Sequence, residues 1–332
     1  MIDSPSSFML KLARTLFRTY KQPASQQPAH ETNSSYKLPA TMPYTAVNAV
    51  SAADSQAPDK RKEWIIQVKQ QSGSFISKAQ LLGIFSDSWF QQYPSTLYGY
   101  IEAKGMWVKV QTSSTVTYFN KVQLGIDLVQ KNKDTYTALT AETLQASLTA
   151  VTQRTAGQQP GLDITPQQSS AQAATTGEKL AALLNNALTP YSIILHADTP
   201  FDNDRVYTTL SGVGIGNESG ALTHYNSQGR PFTDFTIQYT QHPLPETAGL
   251  IAFSHIIFSF VLLPYAQPEQ RWKMMVSAAR YCFLHLGGRL TDSAGNDFNE
   301  EKTGSEIMQL VSQLKARGIQ PGFTNHADTV CS

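Results

Sequence analysis

The stretch that decides the fold is residues 256–292, which reads IIFSFVLLPYAQPEQRWKMMVSAARYCFLHLGGRLTD. Its first eight residues, 256–263, are almost all apolar, which predicts a buried strand. Pro268 fits the first turn of a helix, and apolar residues recur behind it at helical spacing. The pair Gly287-Gly288 fits the end of that helix. The stretch therefore predicts a strand, a long helix, a glycine turn and a further short strand.

The same order of elements occurs earlier in the chain. With a shift of about 127 residues, Gly161 aligns with Gly288, and the apolar positions of a helix near 177–188 align with those of the last helix. Strands that alternate with helices and include hairpins predict an α+β fold of the split β-α-β type. We therefore expect two tandem domains, each a mostly antiparallel sheet with helices on one face and an open second face. Two unrelated α+β domains remain the alternative.

Helix starts are predicted from capping-box spacing. Thr303 and Glu306 stand three residues apart before an apolar stripe, which predicts the start of the last helix. Thr175 and Glu178 have the same spacing in the first copy. The first domain is expected to span 63–189.

The N-terminal arm differs in composition from the rest of the chain. Residues 1–62 carry eight basic and four acidic residues. Residues 1–21 predict a cationic amphipathic helix, and 22–62, rich in Pro, Ala, Ser and Gln, predict a disordered linker. The apolar side of the helix contains Phe8, Met9, Leu12, Leu16 and Phe17. Contact with an anionic membrane and docking on the chain's own domain are both open.

The second domain is expected to span 190–320, and 321–332 to form a flexible tail.

The chain of 332 residues has a formal net charge of +1, and its folded part shows no basic stripe, which argues against nucleic-acid binding. Two cysteines do not make a disulfide framework, and no run of about 18 apolar residues exists. A cytoplasmic protein is expected, with peripheral membrane association through the N-terminal helix as the open alternative.

Motifs for catalysis or cofactor binding are not found in the sequence. The seven histidines have no metal-ligand spacing, and there is no nucleophile elbow or phosphate-binding loop in the right context. The sequence therefore predicts no catalytic residue, no metal and no cofactor.

The second copy resembles the C-terminal FtsZ-binding domain of the bacterial cell-division protein ZipA. The resemblance is carried by PFDNDRVYTTLSGVGI from 200, ALTHYNS from 221, DFTIQYTQHPLP from 234 and the stretch from 256 quoted above. It covers about residues 190–318 and extends more weakly to 63–189 through the internal repeat. The resemblance implies an α+β domain whose open sheet binds a short C-terminal peptide of FtsZ in a shallow apolar groove.

Carried over position by position, the resemblance implies a groove that uses four strands. The positions are Tyr191, Ile193, Leu195, Leu222, Gln238, Thr240, His242 and Phe260. On this basis we expect a non-enzymatic adaptor of cell division and septation that binds FtsZ or another protein with a short amphipathic peptide. Two alternatives stay open: a structural or interaction module with a different partner, whose two open sheets pack together, and a small-ligand enzyme with a site between the copies.

Overall fold

The computed structural model describes residues 57–71, 75–113, 117–157, 161–218, 221–225, 231–232, 235–243, 251–263 and 267–322. The predicted helix 1–21, most of the predicted linker and most of the predicted tail lie outside these residues. The described chain contains helices and several antiparallel sheets, so the predicted α+β class is confirmed.

The strands of the first half are β1 (Glu63–Gln70), β2 (Ile76–Ser77), β3 (Ser95–Ile101), β4 (Met106–Lys109), β5 (Tyr118–Phe119), β6 (Lys121–Asp127), β7 (Val129–Asn132), β8 (Thr135–Ala138) and β9 (Leu162–Pro166). Five of them form an antiparallel sheet in the order β4-β3-β6-β1-β9. The helices of the first half are α1 (Lys78–Ile84), α2 (Asp87–Gln92), α3 (Ala141–Thr155) and α4 (Ser170–Leu188).

The strands of the second half are β10 (Tyr191–Asp202), β11 (Ile215–Glu218), β12 (Ala221–Tyr225), β13 (Pro231–Phe232), β14 (Thr236–Pro243), β15 (Ile251–Phe260) and β16 (Arg289–Thr291). Four of them form an antiparallel sheet in the order β14-β15-β10-β16. The helices of the second half are α5 (Asn203–Gly212), α6 (Pro268–Leu286) and α7 (Glu300–Ala316). Strands β11, β12 and β13 form a separate small sheet.

The two halves share one topology. In the first half, the first strand β1 lies between β6 and the last strand β9, in the order β3-β6-β1-β9. In the second half, the first strand β10 lies in the same way between β15 and the last strand β16, in the order β14-β15-β10-β16. The first half adds β4 at its edge. The order of elements from which we predict the repeat is therefore accompanied by the same strand order.

Helix α6 closes one face of the second sheet. Because side chains alternate along a strand, Ile193 and Leu195 of β10 lie on the same face as Phe258 of β15, and all three are 0 % exposed. Phe260 lies on this face as well, with its ring 6.4 Å from that of Trp272 on α6. These side chains form one apolar core with the inner stripe of α6 and with α7.

Helix α4 joins the two halves. Its N-terminal part, at Ala173 and Ala174, packs into the core of the first half. Its C-terminal part packs into the core of the second half through Leu180, Ala181, Leu184 and Ala187. The predicted boundary at residue 189 therefore follows a helix that belongs to both cores, and Val129 and Tyr136 of the small β7–β8 hairpin also pack into the core of the second half.

Several predicted boundaries are wrong by a few residues. Helix α6 occupies the predicted range, but β15 is shifted toward the N-terminus relative to 256–263. Helix α7 begins at Glu300 because the Asn299 side chain accepts a hydrogen bond of 2.9 Å from the Lys302 amide. Helix α4 likewise begins earlier, at a capping box formed by Ser169 and Gln172 instead of Thr175 and Glu178.

The described structure includes residues beyond both predicted domain limits. The Lys62 ammonium donates a hydrogen bond of 2.8 Å to the Gly318 carbonyl, so the end of the predicted linker is held against the end of α7. The amide of Gly322 donates to the Leu263 carbonyl at 2.9 Å, so the start of the predicted tail is also packed. In both places a hydrogen bond to a backbone carbonyl joins residues that are far apart in the sequence.

The glycine turn after α6 places β16 beside β10. Gly287 and Gly288 have φ angles of +80° and +91°, which residues with side chains rarely adopt. A Cβ atom at Gly288 would collide with the His196 carbonyl oxygen. The turn therefore needs glycine for two reasons, conformation and space.

We predict that Phe260→Ala destabilises the second half. The ring is 2 % exposed against Trp272, so its removal leaves a cavity and lowers the free energy of unfolding by about 3–5 kcal/mol. Ile257→Ala, on the other face of the same strand, should cost about 1 kcal/mol because the side chain is only half-buried. Urea unfolding of both variants measures the difference, and equal losses would contradict the assignment of the two faces.

Candidate functional site

Three of the eight predicted groove residues lie in the core, and a fourth packs against it. Ile193 and Leu195 are 0 % exposed and Phe260 is 2 % exposed. Tyr191 is half-buried and stacks on Phe260, with 5.9 Å between ring centroids. The prediction that these side chains line an open groove is wrong, because α6 packs on the face toward which they point.

The other four predicted groove residues are distributed over two sheets. Gln238 is exposed on β14 and pairs with Ile257. The backbone of Thr240 pairs with His255, and that of His242 pairs with Ala252 beyond an irregularity in the register. Leu222 belongs to β12 in the small sheet, where its backbone pairs with Asn217. The structure therefore does not bring the eight predicted residues together at one surface.

The second face of the four-stranded sheet carries a different set of side chains. Cross-strand pairing forms three rows on β10 and β15, which are Ser192 with Ser259, Ile194 with Ile257, and His196 with His255. Gln238 of β14 extends the isoleucine row, and all these side chains are half-buried or exposed. We call these seven residues the open face. It has an aliphatic middle between a hydroxyl row and a histidine row.

The histidine row is held in place by hydroxyl groups. The rings of His196 and His255 meet edge to face, with centroids 4.6 Å apart. Nε2 of His196 lies 2.8 Å from Oγ1 of Thr291 on β16, and Nδ1 of His255 lies 2.7 Å from Oγ of Ser254. Each ring therefore has one nitrogen in a hydrogen bond within the described structure, which fixes its orientation.

Two basic side chains lie beside His196. Partial burial lowers the pKa of His196, and the neighbouring His255 and Arg289 lower it further. Arg289 pairs with His196 across β10 and β16, and its Nε lies 3.9 Å from Oδ1 of Asp297. This end of the open face is therefore rich in hydrogen-bond donors and cationic groups.

The open face suits a binding surface better than a catalytic site. Two isoleucines offer apolar contact area, and the flanking hydroxyl, amide and imidazole groups offer hydrogen bonds to a peptide. The sequence contains one signal for this face. Side chains alternate between the two faces along 256–263, so Ile257 and Phe258 lie on opposite faces. The histidine pair has no such signal, because only the strand register brings residues 196 and 255 together.

The first half buries a carboxyl pair on the corresponding face of its sheet. Glu63 and Asp127 are cross-strand partners and each is 6 % exposed. Glu63 accepts a hydrogen bond of 2.7 Å from the Tyr98 hydroxyl and one of 2.8 Å from the Asp59 amide. A Cβ atom at Gly125 would lie 2.5 Å from the Glu63 carboxylate, so this glycine makes room for it.

Burial shifts the acid–base properties of this cluster. Desolvation raises the pKa of Glu63, and it raises that of Asp127 to about 8, with a further increase from the charge of Glu63. Desolvation and the neighbouring Glu63 also raise the pKa of Tyr98. Glu63 is engaged in internal hydrogen bonds, and both carboxyl groups are buried. We therefore interpret the cluster as a structural feature of the first half.

Other kinds of site are not evident in the described part of the chain. Among the residues that the structure describes, no group of three or more His, Cys, Asp or Glu side chains is arranged to hold a metal ion. Within the same residues, no helix has the length and apolarity to cross a membrane. A shallow hollow of about 490 Å³ lies beside the start of α7, where Arg280 pairs with Glu300, and not between the halves. The predicted membrane-contact residues Phe8, Met9, Leu12, Leu16 and Phe17 lie outside the described residues.

Comparison with known proteins adds little to this geometry. No family model matches the chain, and no curated protein matches it. Among solved structures, an unknown protein from Galdieria sulphuraria aligns with 72 % of this chain and 99 % of its own at 11 % identity, with a TM-score of 0.16. A TM-score of this size carries no argument about fold or function.

We predict that Asp127→Asn stabilises the protein at high pH. The folded state holds the Asp127 proton more tightly than the unfolded state does, because the folded pKa is about 8 and the ordinary value is 3.8. Stability linked to this group is therefore full below about pH 4 and is lost as pH rises toward 8. The variant has no charge to bury. Its free energy of unfolding relative to that of the wild type should therefore rise by at least about 1 kcal/mol when the pH is raised from 5 to 8.

Urea unfolding at the two pH values measures this gain. Asp134→Asn is the matched control, because Asp134 is exposed at the turn between β7 and β8. A difference between variant and wild type that does not change with pH would contradict the prediction.

Proposed function

We propose that this chain is a non-enzymatic adaptor of bacterial cell division whose second half binds a short peptide of a partner protein. The observation that carries the proposal is the open face, where Ile194 and Ile257 remain partly exposed on a sheet whose other face is filled by α6. The resemblance to the FtsZ-binding domain of ZipA supports the same kind of function. The C-terminal tail of FtsZ is therefore the first partner to test.

The proposed binding mode differs in one respect from the mode that the resemblance implies. The contact strands β10 and β15 stay the same, but the contact residues change by one position from Ile193 to Ile194 and by three positions from Phe260 to Ile257, so each moves to the opposite face of its strand. A shift of one residue exchanges the two faces of a strand. The open face then provides the surface, and the groove residues first assigned to β10 provide the core beneath it.

The size of the open face fits a weak or moderate interaction. Complete burial of one large apolar side chain contributes about 1.5–3 kcal/mol, and the open face offers two partly exposed isoleucines. Hydrogen bonds from the hydroxyl and histidine rows add to this contribution. Micromolar binding needs about 8 kcal/mol net, so the two isoleucines supply at most about 6 kcal/mol of it and hydrogen bonds or a further apolar contact must supply the rest.

The N-terminal arm supports a second part of the proposal, which is membrane attachment. Residues 1–21 combine an apolar stripe with lysines and arginines, and 22–56 supply the tether. An adaptor of this kind sits at the cytoplasmic face of the inner membrane and holds its partner there.

We predict that Ile257→Asp abolishes binding of the FtsZ tail peptide while the fold survives. A charge in the middle of the open face must lose its hydration when the peptide binds, which costs more than the apolar contact gains. Fluorescence anisotropy with a labelled peptide and the full chain measures affinity, and circular dichroism measures folding.

Leu284→Asp is the matched control for this experiment. Leu284 is 77 % exposed on α6, away from the open face, so the same substitution there should leave affinity within about twofold. Undiminished binding by a folded Ile257→Asp protein would refute the placement of the site.

We predict that residues 1–25 bind vesicles containing anionic lipid. The apolar side chains enter the interface and the basic side chains contact the headgroups. Co-sedimentation with vesicles measures binding, and Leu12→Glu with Leu16→Glu should remove it. Equal pelleting with and without vesicles would remove membrane attachment from the proposal.

A further inference from the structure

One end of the open face carries three nitrogen-rich side chains from three strands. His196 of β10, His255 of β15 and Arg289 of β16 are neighbours in the sheet. Each ring has one nitrogen hydrogen-bonded, to Thr291 or to Ser254. The guanidinium of Arg289 is largely exposed, and Asp297 approaches it at 3.9 Å, beyond ordinary hydrogen-bond distance.

From this arrangement we infer that the histidine row and Arg289 form a binding site for a carboxylate of the bound peptide. This inference rests on the proposed function and adds the chemistry of the partner. The occupant is an extended peptide that places an apolar side chain on Ile194 and Ile257 and an acidic side chain over the histidine row.

Charge complementarity favours an anion over a cation or a metal ion at this end. The groups that face His196 are His255 and Thr291 across the two neighbouring strands and Arg289 on β16, and its pKa is lowered by burial and by the two basic groups. The acid nearest to Arg289 is Asp297, whose side chain is 85 % exposed. A carboxylate gains charge-assisted hydrogen bonds here, whereas a cation meets like charge.

The strand geometry fixes the spacing that the peptide needs. The isoleucine row and the histidine row are two residues apart on both β10 and β15, which corresponds to about 7 Å along the strands. An extended peptide that lies along them has the same repeat. Its acidic residue is therefore expected two positions from its apolar anchor.

Protonation and peptide binding are linked at this site. A bound carboxylate opposes the effect of Arg289 and His255 and favours the charged form of His196, so binding takes up protons. Affinity should be roughly five- to tenfold higher near pH 6 than near pH 8, because the pKa of the His196 imidazole in the free protein lies below its ordinary value of 6.5 and the bound carboxylate raises it. Without an acidic residue on the peptide, this dependence should disappear.

The test uses the full chain and a displayed library of short random peptides selected at about pH 6. Peptides that bind the wild type and fail to bind Ile257→Asp are kept, since they use the open face. Their affinities are then measured at both pH values, as selected and with each Asp or Glu changed to Asn or Gln. The same measurements are made on His196→Gln with His255→Gln, and on His285→Gln as the control, because His285 is exposed at the end of α6.

The inference predicts an acidic residue two positions from an apolar one in the selected peptides. It also predicts about tenfold weaker binding after neutralisation of that residue, the same loss in the double histidine variant, and no change in the control. Selected peptides without an acidic preference, or with an affinity that ignores the two histidines, overturn the inference and leave the proposed function standing. Failure to find any peptide that depends on Ile257 overturns the proposed function, and the inference with it.

Discussion

The contact between α6 and one face of β10 and β15 determines the rest of the second half. Phe258, Phe260 and Trp272 are buried in this contact, and each large side chain contributes about 1.5–3 kcal/mol through burial. Since a strand alternates its side chains, filling one face assigns every neighbouring residue to the other. Ile194, Ile257 and the two histidines are on the surface because their neighbours are in the core.

The chain uses one topology for two different surfaces. In the first half, one end of the sheet face away from the helices is covered, with Ile65, Tyr98 and the carboxyl pair of Glu63 and Asp127 buried. In the second half the corresponding face leaves its isoleucines and histidines accessible. Two copies of an element order have therefore diverged at the face that does not hold the fold together. This divergence gives the second half the binding role in our proposal and leaves the first half as its structural support.

Much of the fold could be predicted from the sequence. The long helix behind Pro268, the glycine turn and the order of elements follow from local rules, because caps, glycines and periodic apolar residues act within a few residues of each other. The helix starts at Ser170 and Glu300 were missed, since several polar residues in each segment have capping potential and only the packing of the helix selects one.

The site could be predicted only in part, and the reason is again alternation. A pattern such as SIILHA at 192–197 has apolar residues that point both ways, so it does not say which of Ile193 and Ile194 faces the helices. The partner helix decides this, and it lies some 80 residues away in sequence. The histidine row and the carboxyl pair depend on strand register, which joins residues 59 and 64 positions apart and leaves no local trace.

The measurement that tests this account most directly is the rate of thiol modification at two adjacent positions of β10. Ile193→Cys and Ile194→Cys would each be made with Cys331→Ser, and the native Cys282 can stay because it is buried and burial raises its pKa to about 12. We expect rapid modification at 194 in the folded protein and protection at 193 until the protein unfolds. Equal protection at both positions would mean that the chain itself covers the second face, and no surface would remain there for a partner.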